Sequence, residues 1–174
     1  MTSYGLKIVL LGDEGVGKSS LIVRYVKNKF KKEYISTMGV DFLIKQLKLE
    51  DDTIKCIIWD IGGQTQWREK LHLYLQGSDG AIIVVDLTRK KTLNGLDYWV
   101  DAINKYLKVK NFPIVLVGNK LDLVEQRKIS PEDLKNAAKL PSFETSAKTG
   151  ETVEEMFVTI AKKVLEYKKK KMKN

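Results

Sequence analysis

The sequence lacks the features that hold many secreted and membrane proteins together. Its 174 residues include one cysteine and three prolines, and no apolar run approaches the ~20 residues that a membrane-spanning helix needs. A single cysteine excludes an internal disulfide bridge, and the place of Cys56 in the apolar run Ile54–Trp59 predicts a buried structural thiol in a reducing compartment. The first residues show no signal-peptide pattern. We therefore expect one cytoplasmic domain, over residues 1–167, that buries its core without disulfides or metal ions.

Acidic residues are scarce relative to basic ones, and the formal net charge is +9. Much of the excess lies near the C-terminus, in Lys162, Lys163, Lys168–Lys171 and Lys173. Two interpretations stay open. The lysines complement the dipole at the end of a terminal helix and keep it solvated, or the lysine-rich tail 168–174 makes a weak contact with an anionic membrane, worth roughly 1 kcal/mol per lysine. No nucleic-acid-binding module is recognisable, so we expect no nucleic acid partner.

Short apolar runs alternate with helical patterns along the chain, without repeats or linkers. Four runs predict strands that are buried on both faces, namely Leu6–Leu11, Ile54–Trp59, Ala81–Leu87 and Pro113–Val117. The alternation predicts a three-layer α/β domain with a six-stranded, mostly parallel sheet. In such a sheet the carboxyl ends of the strands carry the functional site.

One predicted strand has a different pattern. Val40, Phe42 and Ile44 alternate with more polar neighbours, and an acidic turn at Glu50–Thr53 follows soon after. This hairpin signal predicts that the strand runs antiparallel to the next one, at an edge of the sheet. The alternation slips by one residue over Leu47–Leu49, so a bulge and an imprecise boundary stay open as explanations.

Helices are predicted from apolar residues at helical spacing. One helix face holds Leu93, Leu96, Val100, Ile103 and Leu107, and another holds Val153, Met156, Phe157, Ile160, Val164 and Leu165. Ser130 followed by Pro131 predicts an N-cap with proline in the first helical position. Thr152 and Glu155 predict a capping box at the start of the last helix.

The segment Gly12–Ser19, GDEGVGKS, follows the first strand directly and matches the spacing G-x-x-x-x-G-K-[ST]. A glycine-rich turn between a strand and a helix brings backbone N–H groups and the helix dipole together around an anion. The predicted phosphate cradle comprises Asp13, Glu14, Gly15, Val16, Gly17, Lys18 and Ser19. In this motif Lys18 reaches the outer phosphates and the Ser19 hydroxyl binds Mg²⁺.

A second candidate motif closes the strand Ile54–Trp59. Asp60 stands where a carboxylate holds Mg²⁺ through a water molecule opposite the phosphate loop. The backbone N–H of Gly63 would approach a terminal phosphate, and Gln64 would orient a water molecule for attack. A plain strand-to-loop turn is the alternative for these residues.

Two further motifs follow later strands. Asn119, Lys120 and Asp122 lie in NKLD, directly after a buried strand. The Asp122 carboxylate is suited to accept two N–H bonds from a guanine edge, which adenine does not offer, so the wrong base would leave buried acceptors unpaired. A second candidate for contact with the base is ETSAK, which contains Ser146, Ala147 and Lys148.

Together these motifs resemble those of small GTPases of the Ras superfamily, and most closely the Rab-like branch, over residues 5–167. GDEGVGKSS, NKLD and ETSAK stand in the order of that family, and ISTMGVDF (Ile35–Phe42) resembles the Rab effector region. The resemblance implies the P-loop NTPase fold of small GTPases, with one antiparallel edge strand. It also implies GTP and GDP as ligands, together with Mg²⁺.

The resemblance also assigns roles to residues that carry little signal of their own. Thr37 would add its hydroxyl to Mg²⁺ in the triphosphate state, and Tyr34 would lie over the phosphates. Phe30 would stack beside the guanine, and Ser20 would contact the α-phosphate. From the residues alone, packed aromatic side chains and a surface hydroxyl remain the alternatives for Phe30, Tyr34 and Ser20.

A small GTPase acts as a switch, so the resemblance implies partners that recognise its nucleotide state. The segments around Thr37 and Gln64 would be the switches that contact an exchange factor, an activating protein and effectors in membrane trafficking or signalling. Hydrolysis through Gln64 and Lys18 would be slow, and a partner that supplies the missing positive charge would accelerate it by roughly 10³–10⁵. We expect a monomer, cytoplasmic or peripheral at a membrane surface. A guanine-nucleotide-bound scaffold with little hydrolysis is the alternative function.

Three features depart from the family pattern. WDIGGQ (Trp59–Gln64) resembles the Arf-like sequence, because the Rab form has alanine before the second glycine and threonine after the aspartate. Glu14 places a carboxylate inside the phosphate loop, where it either points into solvent or alters hydrolysis and the access of an activating partner. The sequence ends in KKKKMKN and has Thr2, so it contains neither the prenylation motif nor the N-myristoylation motif that is usual in Rab and Arf relatives, and a shortened C-terminus would give the same pattern.

Overall fold

Six strands form a single sheet in the computed structural model, which describes residues 3–30, 37–49, 52–137 and 139–173. The strands are β1 Ser3–Leu11, β2 Val40–Leu49, β3 Asp52–Ile61, β4 Gly80–Asp86, β5 Ile114–Asn119 and β6 Ser142–Thr145. Their order across the sheet is β2-β3-β1-β4-β5-β6, and every neighbouring pair is parallel except β2 and β3. The predicted sheet, with its antiparallel edge strand, is confirmed.

Helices cover both faces of this sheet. They are α1 Lys18–Lys27, α2 Thr65–Arg68, α3 Leu71–Leu75, α4 Lys90–Asn94, α5 Leu96–Leu107, α6 Pro131–Ala137 and α7 Val153–Lys173, with a 3₁₀ turn at Val124–Gln126. Apolar residues of α1 and α7 pack with Leu6, Ile8 and Leu10 of β1 on one face. Those of α3, α5 and α6 pack with Val9 and Leu11 on the other face. Successive strand residues point to opposite faces, so β1 contributes to both halves of the core.

The strands buried on both faces are those whose sequences are continuously apolar. Every residue of β4 is buried, and Tyr25 of α1 stacks on Phe157 of α7 with ring centroids 4.1 Å apart. Full burial of an apolar side chain contributes about 1.5–3 kcal/mol. Because four of the parallel strands run side by side, the carboxyl ends of β1, β3, β4 and β5 lie at one edge of the sheet.

Cys56 is a free thiol that is 2% exposed, as predicted for a structural cysteine. Burial raises the pKa of this thiol to about 12, so it stays protonated and unreactive near neutral pH. None of the described helices is both long enough and apolar enough to cross a membrane.

The apolar residues of β2 lie on two different faces. The pairing with β3 is continuous along the strand, so the described residues form no bulge. Leu43, Leu47 and Leu49 pack against the core, whereas Phe42 and Ile44 are 53% and 44% exposed. The slip in the alternation therefore marks the passage from an exposed apolar face to a buried one.

The helix predicted from the spacing of Leu93 to Leu107 is divided in two. α4 ends at Asn94 and α5 begins at Leu96, because Gly95 between them has φ −83° and ψ 0°, outside the helical region. Glycine in a helix interior costs up to about 1 kcal/mol relative to alanine, which favours a break here. The predicted apolar face still packs against the core on both sides of the break.

The two predicted helix caps have different outcomes. Ser130 caps α6 as predicted, because its Oγ accepts the backbone N–H of Asp133 at 3.0 Å. The predicted capping box at α7 is wrong. Thr152 has φ 59°, which an N-cap residue does not adopt, and its side chain makes no hydrogen bond to Glu155 within the described structure.

α7 continues through the predicted tail as far as Lys173. Lys168 Nζ lies 2.9 Å from Asp79 Oδ1, and Lys169 Nζ lies 2.6 Å from Asp52 Oδ2. Two lysines of the C-terminal run therefore hold the helix against the sheet.

Candidate functional site

The loop between β1 and α1 contains glycines that leave no room for a side chain. Gly12 and Gly17 have φ angles of 142° and 101°, which favour glycine. A Cβ atom at Gly12 would overlap the carbonyl of Val84 in β4, and one at Gly17 would overlap Asn119 Nδ2 in β5. The glycine spacing of the motif thus reflects close packing of the loop against two neighbouring strands.

Lys18, the first residue of α1, is 6% exposed and is enclosed by the loop. Its Nζ donates to the carbonyl oxygens of Gly12 at 2.7 Å and Asp13 at 2.9 Å. Burial lowers the pKa of Lys18 to about 8, although the charges of Asp60, Asp13 and Glu14 oppose this. A polyphosphate beside this amine would favour its charged form, so the site is suited to bind phosphate.

Ser19, Thr37 and Asp60 bring three oxygen-bearing side chains together. Ser19 Oγ lies 2.6 Å from Thr37 Oγ1 and donates to Asp60 Oδ2, and Thr37 Oγ1 donates to the same carboxylate oxygen at 3.2 Å. Asp60 Oδ1 is buried without a partner among the described residues. Burial also raises the pKa of Asp60, against the hydrogen bond from Ser19 and the charge of Lys18. A hard cation would stabilise this carboxylate, so the residues present fit a Mg²⁺ site.

Asn119 joins the phosphate loop to the end of β6. The side chain is 2% exposed, and its Nδ2 donates to the carbonyl of Val16 at 3.0 Å. Its Oδ1 accepts from Thr145 Oγ1 and from the backbone N–H of Ala147, both at 3.2 Å. Asn119 therefore fixes the NKLD and ETSAK segments relative to the phosphate cradle.

The Asp122 carboxylate is oriented by the ETSAK segment. Ser146 Oγ donates to Asp122 Oδ1 at 2.6 Å, and Lys148 Nζ lies 3.9 Å from Oδ2. Arg24 of α1 also contacts this segment, because its Nε donates to the carbonyl of Ala147 at 2.8 Å. A carboxylate fixed in this way can present acceptors to a planar ring with two adjacent N–H donors.

Lys120 contacts a carboxylate that is not part of NKLD. Its Nζ lies 2.7 Å from Oδ2 of Asp86, the fully buried last residue of β4. Burial opposes ionisation of Asp86, but hydrogen bonds from Lys120 and Thr88 hold its pKa below the usual range. Asp86 therefore stays charged and holds the Lys120 side chain at the carboxyl end of β4.

Gly63 and Gln64 lie directly against the phosphate loop. A Cβ atom at Gly63 would stand 2.5 Å from the backbone nitrogen of Glu14, so only glycine fits. Gln64 Nε2 donates to Glu14 Oε1 at 3.2 Å, and Gln64 Oε1 accepts from Gln66 at 2.9 Å. Glu14 is an exposed residue, yet its carboxylate contacts the glutamine that the sequence predicts to orient water.

Two arginines that the sequence analysis did not single out also contact the loop. Arg68 Nη2 donates to Asp13 Oδ1 at 2.9 Å. Arg89 donates through Nη2 to the carbonyl of Glu14 at 2.9 Å and through Nε to Asp86 at 2.8 Å. Asp86 could have been found from the sequence, because it ends a buried strand at the edge of the sheet where the predicted site lies. The arginines could not, since their partners in the loop lie far away in sequence.

The remaining predicted residues are less closely tied to this cluster. Ser20 lies in the first turn of α1, and Phe30 is 38% exposed beyond its end. Within the described structure, no hydrogen bond or ring contact joins either residue to NKLD or ETSAK. Tyr34 lies outside the described residues.

Comparisons with known proteins identify the family of this chain. The Ras family model matches residues 7–166. The chain belongs to the Ras family. The Ras-related protein Rab-1 of Theileria parva is 42% identical over 163 residues, which cover 91% of this chain and 74% of the relative. The GTP-binding protein YPT1 of Saccharomyces cerevisiae is 39% identical over 166 residues, which cover 94% and 80%. The Ras-related protein RIC1 of Oryza sativa subsp. japonica is 41% identical over 161 residues, which cover 91% and 79%.

The protein is thus a Rab-like small GTPase, a hydrolase, with the predicted P-loop fold. Gly62, where the sequence departs from the Rab pattern that the resemblance implies, lies in a closely packed position. A Cβ atom at Gly62 would stand 2.8 Å from Trp67 Cδ1 and 2.9 Å from the carbonyl of Thr37. Glycine at this position therefore makes room for the Trp67 indole next to the Thr37 segment.

Proposed function

We propose that this Ras-family protein is a Mg²⁺-dependent switch that hydrolyses GTP slowly and presents different surfaces in its GTP and GDP states. The observation that carries the proposal is the meeting of Thr37 and Asp60 at Ser19, next to Lys18. It connects a segment before β2 and the end of β3 to the phosphate loop. Loss of a terminal phosphate would remove contacts that hold such segments in place.

The proposed ligand contacts follow the clusters described above. The guanine would be held by Asn119, Lys120, Asp122, Ser146, Ala147 and Lys148, and the phosphates by the loop from Asp13 to Ser19 with Ser20. Ser19 and Thr37 would bind Mg²⁺ directly, and Asp60 would bind it through a water molecule. Phe30 and Tyr34 would cover the nucleotide, as the family resemblance implies.

Hydrolysis would depend on positioning and electrostatics. Mg²⁺, when bound, neutralises charge on the β- and γ-phosphates. Lys18 and the loop N–H groups would stabilise the charge that develops as the terminal phosphate leaves, while Gln64 orients the attacking water. Arg68 and Arg89 are held by Asp13 and Asp86. We therefore infer slow turnover, which an arginine from a partner would accelerate by about 10³–10⁵.

Partners would bind through the switch segments around Thr37 and Gln64. Phe42 stacks on Trp59 with ring centroids 5.8 Å apart, and Phe42 and Ile44 form an exposed apolar face on β2. Such a face suits a protein partner, so we infer that effectors, an exchange factor and an activating protein bind on this side. Together with the Rab relatives, it supports a role in membrane trafficking. The lysine run of α7 would add a weak contact with an anionic membrane.

The hydrogen bond from Gln64 to Glu14 favours a second candidate function. A glutamine held by the loop carboxylate is less available to orient water, so the protein would act as a nucleotide-bound scaffold with little hydrolysis. The two functions differ in the basal rate. The switch releases phosphate from GTP without a partner, whereas the scaffold does so only when Glu14 is removed.

Single-turnover hydrolysis of bound GTP separates these functions. We expect measurable phosphate release from the unsubstituted protein and a rate about 3- to 10-fold higher in Glu14→Ala, because one hydrogen bond of about 1 kcal/mol no longer restrains Gln64. Glu132→Ala, an exposed carboxylate on α6, is the matched control and should leave the rate unchanged. If only Glu14→Ala hydrolysed GTP, the result would favour the scaffold function. Equal rates in all three proteins would show that the hydrogen bond to Glu14 does not restrain Gln64.

A further inference from the structure

A second cleft lies at the end of the sheet opposite the nucleotide site. It has a volume of about 940 Å³ and lies between the amino ends of β5 and β6 and the C-terminal half of α7. Phe112, Pro113, Leu140 and Tyr167 supply apolar surface to its lining. The cleft is therefore large enough for a small ligand and is separated by the length of the strands from Asn119 and the phosphate loop.

The charged residues of this cleft are almost all of one sign. Its lining includes Lys110, Lys139, Lys163, Lys170 and Lys171 and a single carboxylate, Glu166. Five lysines against one glutamate give the lining a net charge of +4. Within the part of the chain that the structure describes, none of the five lysines forms an ion pair.

On α7, the lysines that line the cleft differ in their contacts from the neighbouring lysines. Lys168 and Lys169 pair with Asp79 and Asp52 of the domain. Lys163 and Lys170 lie seven positions apart, two turns along one face of the helix, and both line the cleft. The paired lysines anchor the helix, whereas the five exposed lysines of the cleft bring an excess of positive charge to one concave surface.

We propose that this cleft binds the headgroup of a membrane lipid that carries two or more phosphate groups. Several lysines around one concave site are suited to a compact, multiply charged anion, and a C–H face of an inositol ring that carries the phosphates can pack on the apolar lining. Binding there would leave the switch segments, at the opposite end of the sheet, open to partners. This inference rests on the membrane contact within the proposed function and gives that contact a defined site.

The test compares charge reversal inside the cleft with an equal reversal outside it. Lys139→Glu with Lys170→Glu alters the cleft, and Lys48→Glu with Lys55→Glu alters exposed lysines of β2 and β3 by the same net charge. Full-length proteins are titrated with phosphatidylcholine vesicles that contain a bisphosphorylated phosphoinositide. Parallel titrations use phosphatidylserine vesicles of equal surface charge and a soluble inositol polyphosphate. GDP affinity is measured for each protein.

We expect the unsubstituted protein to bind the phosphoinositide vesicles more tightly than the phosphatidylserine vesicles. The cleft variant should lose about 10-fold or more of this affinity, and the control variant less than about twofold. Equal losses in the two variants, or equal binding to both vesicles, would overturn the proposal, because general attraction would then account for the binding. Binding of the soluble polyphosphate alone would also overturn the lipid assignment.

The nucleotide measurement keeps this proposal distinguishable from the proposed function. Unchanged GDP affinity in both variants shows that they fold and that the two sites are separate. If the protein failed to hydrolyse GTP but kept selective binding to phosphoinositide vesicles, the switch would be rejected and the cleft proposal retained. If the protein hydrolysed GTP but did not bind phosphoinositide vesicles selectively, the proposed switch function would be retained and the cleft proposal rejected.

Discussion

Replacing Asp122 by asparagine is expected to lower the affinity for GTP by about 10⁴-fold. The carboxylate is fixed by Ser146 Oγ at 2.6 Å, so it offers acceptors in a defined direction. Guanine presents two adjacent N–H donors on this edge, and an asparagine amide would place a third donor against them. A buried donor without an acceptor costs about 1–3 kcal/mol, in addition to the bonds that are lost.

Competition against a fluorescent GDP analogue measures this effect for GTP and for xanthosine triphosphate. Xanthine has a carbonyl where guanine has its amino group, so Asp122→Asn should bind the xanthine nucleotide better than the parent does. Asp101→Asn, at an exposed position of α5, is the matched control and should leave both affinities unchanged. GTP affinity retained by Asp122→Asn would remove this residue from the base site.

Replacing Gln64 by leucine is expected to slow single-turnover GTP hydrolysis by about 10²-fold, while nucleotide affinity changes by less than about twofold. The leucine keeps much of the side-chain volume but has no group that could orient water. Gln64→Leu also removes the donor to Glu14 Oε1. Adding Glu14→Ala to Gln64→Leu should therefore not raise the hydrolysis rate above that of Gln64→Leu alone.

Gln76→Leu is the matched control for this experiment, because the Gln76 side chain is exposed after the end of α3. Phosphate release is followed with protein in excess over GTP, so that product release does not limit the rate. If Gln64→Leu hydrolysed GTP as fast as Gln76→Leu, Gln64 would have no catalytic role.

The parts of the fold and site that could be predicted are those encoded in contiguous sequence. The phosphate loop, NKLD and ETSAK each occupy a few neighbouring residues after a strand, so their place at one edge of the sheet follows from the parallel topology. The buried state of Cys56 followed in the same way from its apolar surroundings.

What the sequence did not reveal depends on contacts between distant segments. Arg68 and Arg89 contact Asp13 and Glu14 only after α2 and the end of β4 are brought to the loop. The bond between Gln64 and Glu14 likewise joins two loops. Sequence alone left the direction of the Glu14 side chain open, because only backbone groups of this loop must face phosphate.

Local errors arose where one residue overrode a pattern. Gly95 divides the helix predicted from the spacing of Leu93 to Leu107. Thr152 adopts a positive φ where a cap was predicted. In β2 apolar residues lie on both the buried and the exposed face. An alternation pattern alone does not indicate which of the two faces a helix covers.

Amide hydrogen exchange in two nucleotide states tests the central claim most directly. The full chain is loaded with Mg²⁺ and either GDP or a non-hydrolysable GTP analogue, and exchange is compared over residues 37–49 and 62–75. A switch that closes on the terminal phosphate through Thr37 and Gly63 predicts slower exchange of both segments in the triphosphate complex, with α7 unchanged. Identical exchange of both segments in the two complexes would contradict the account.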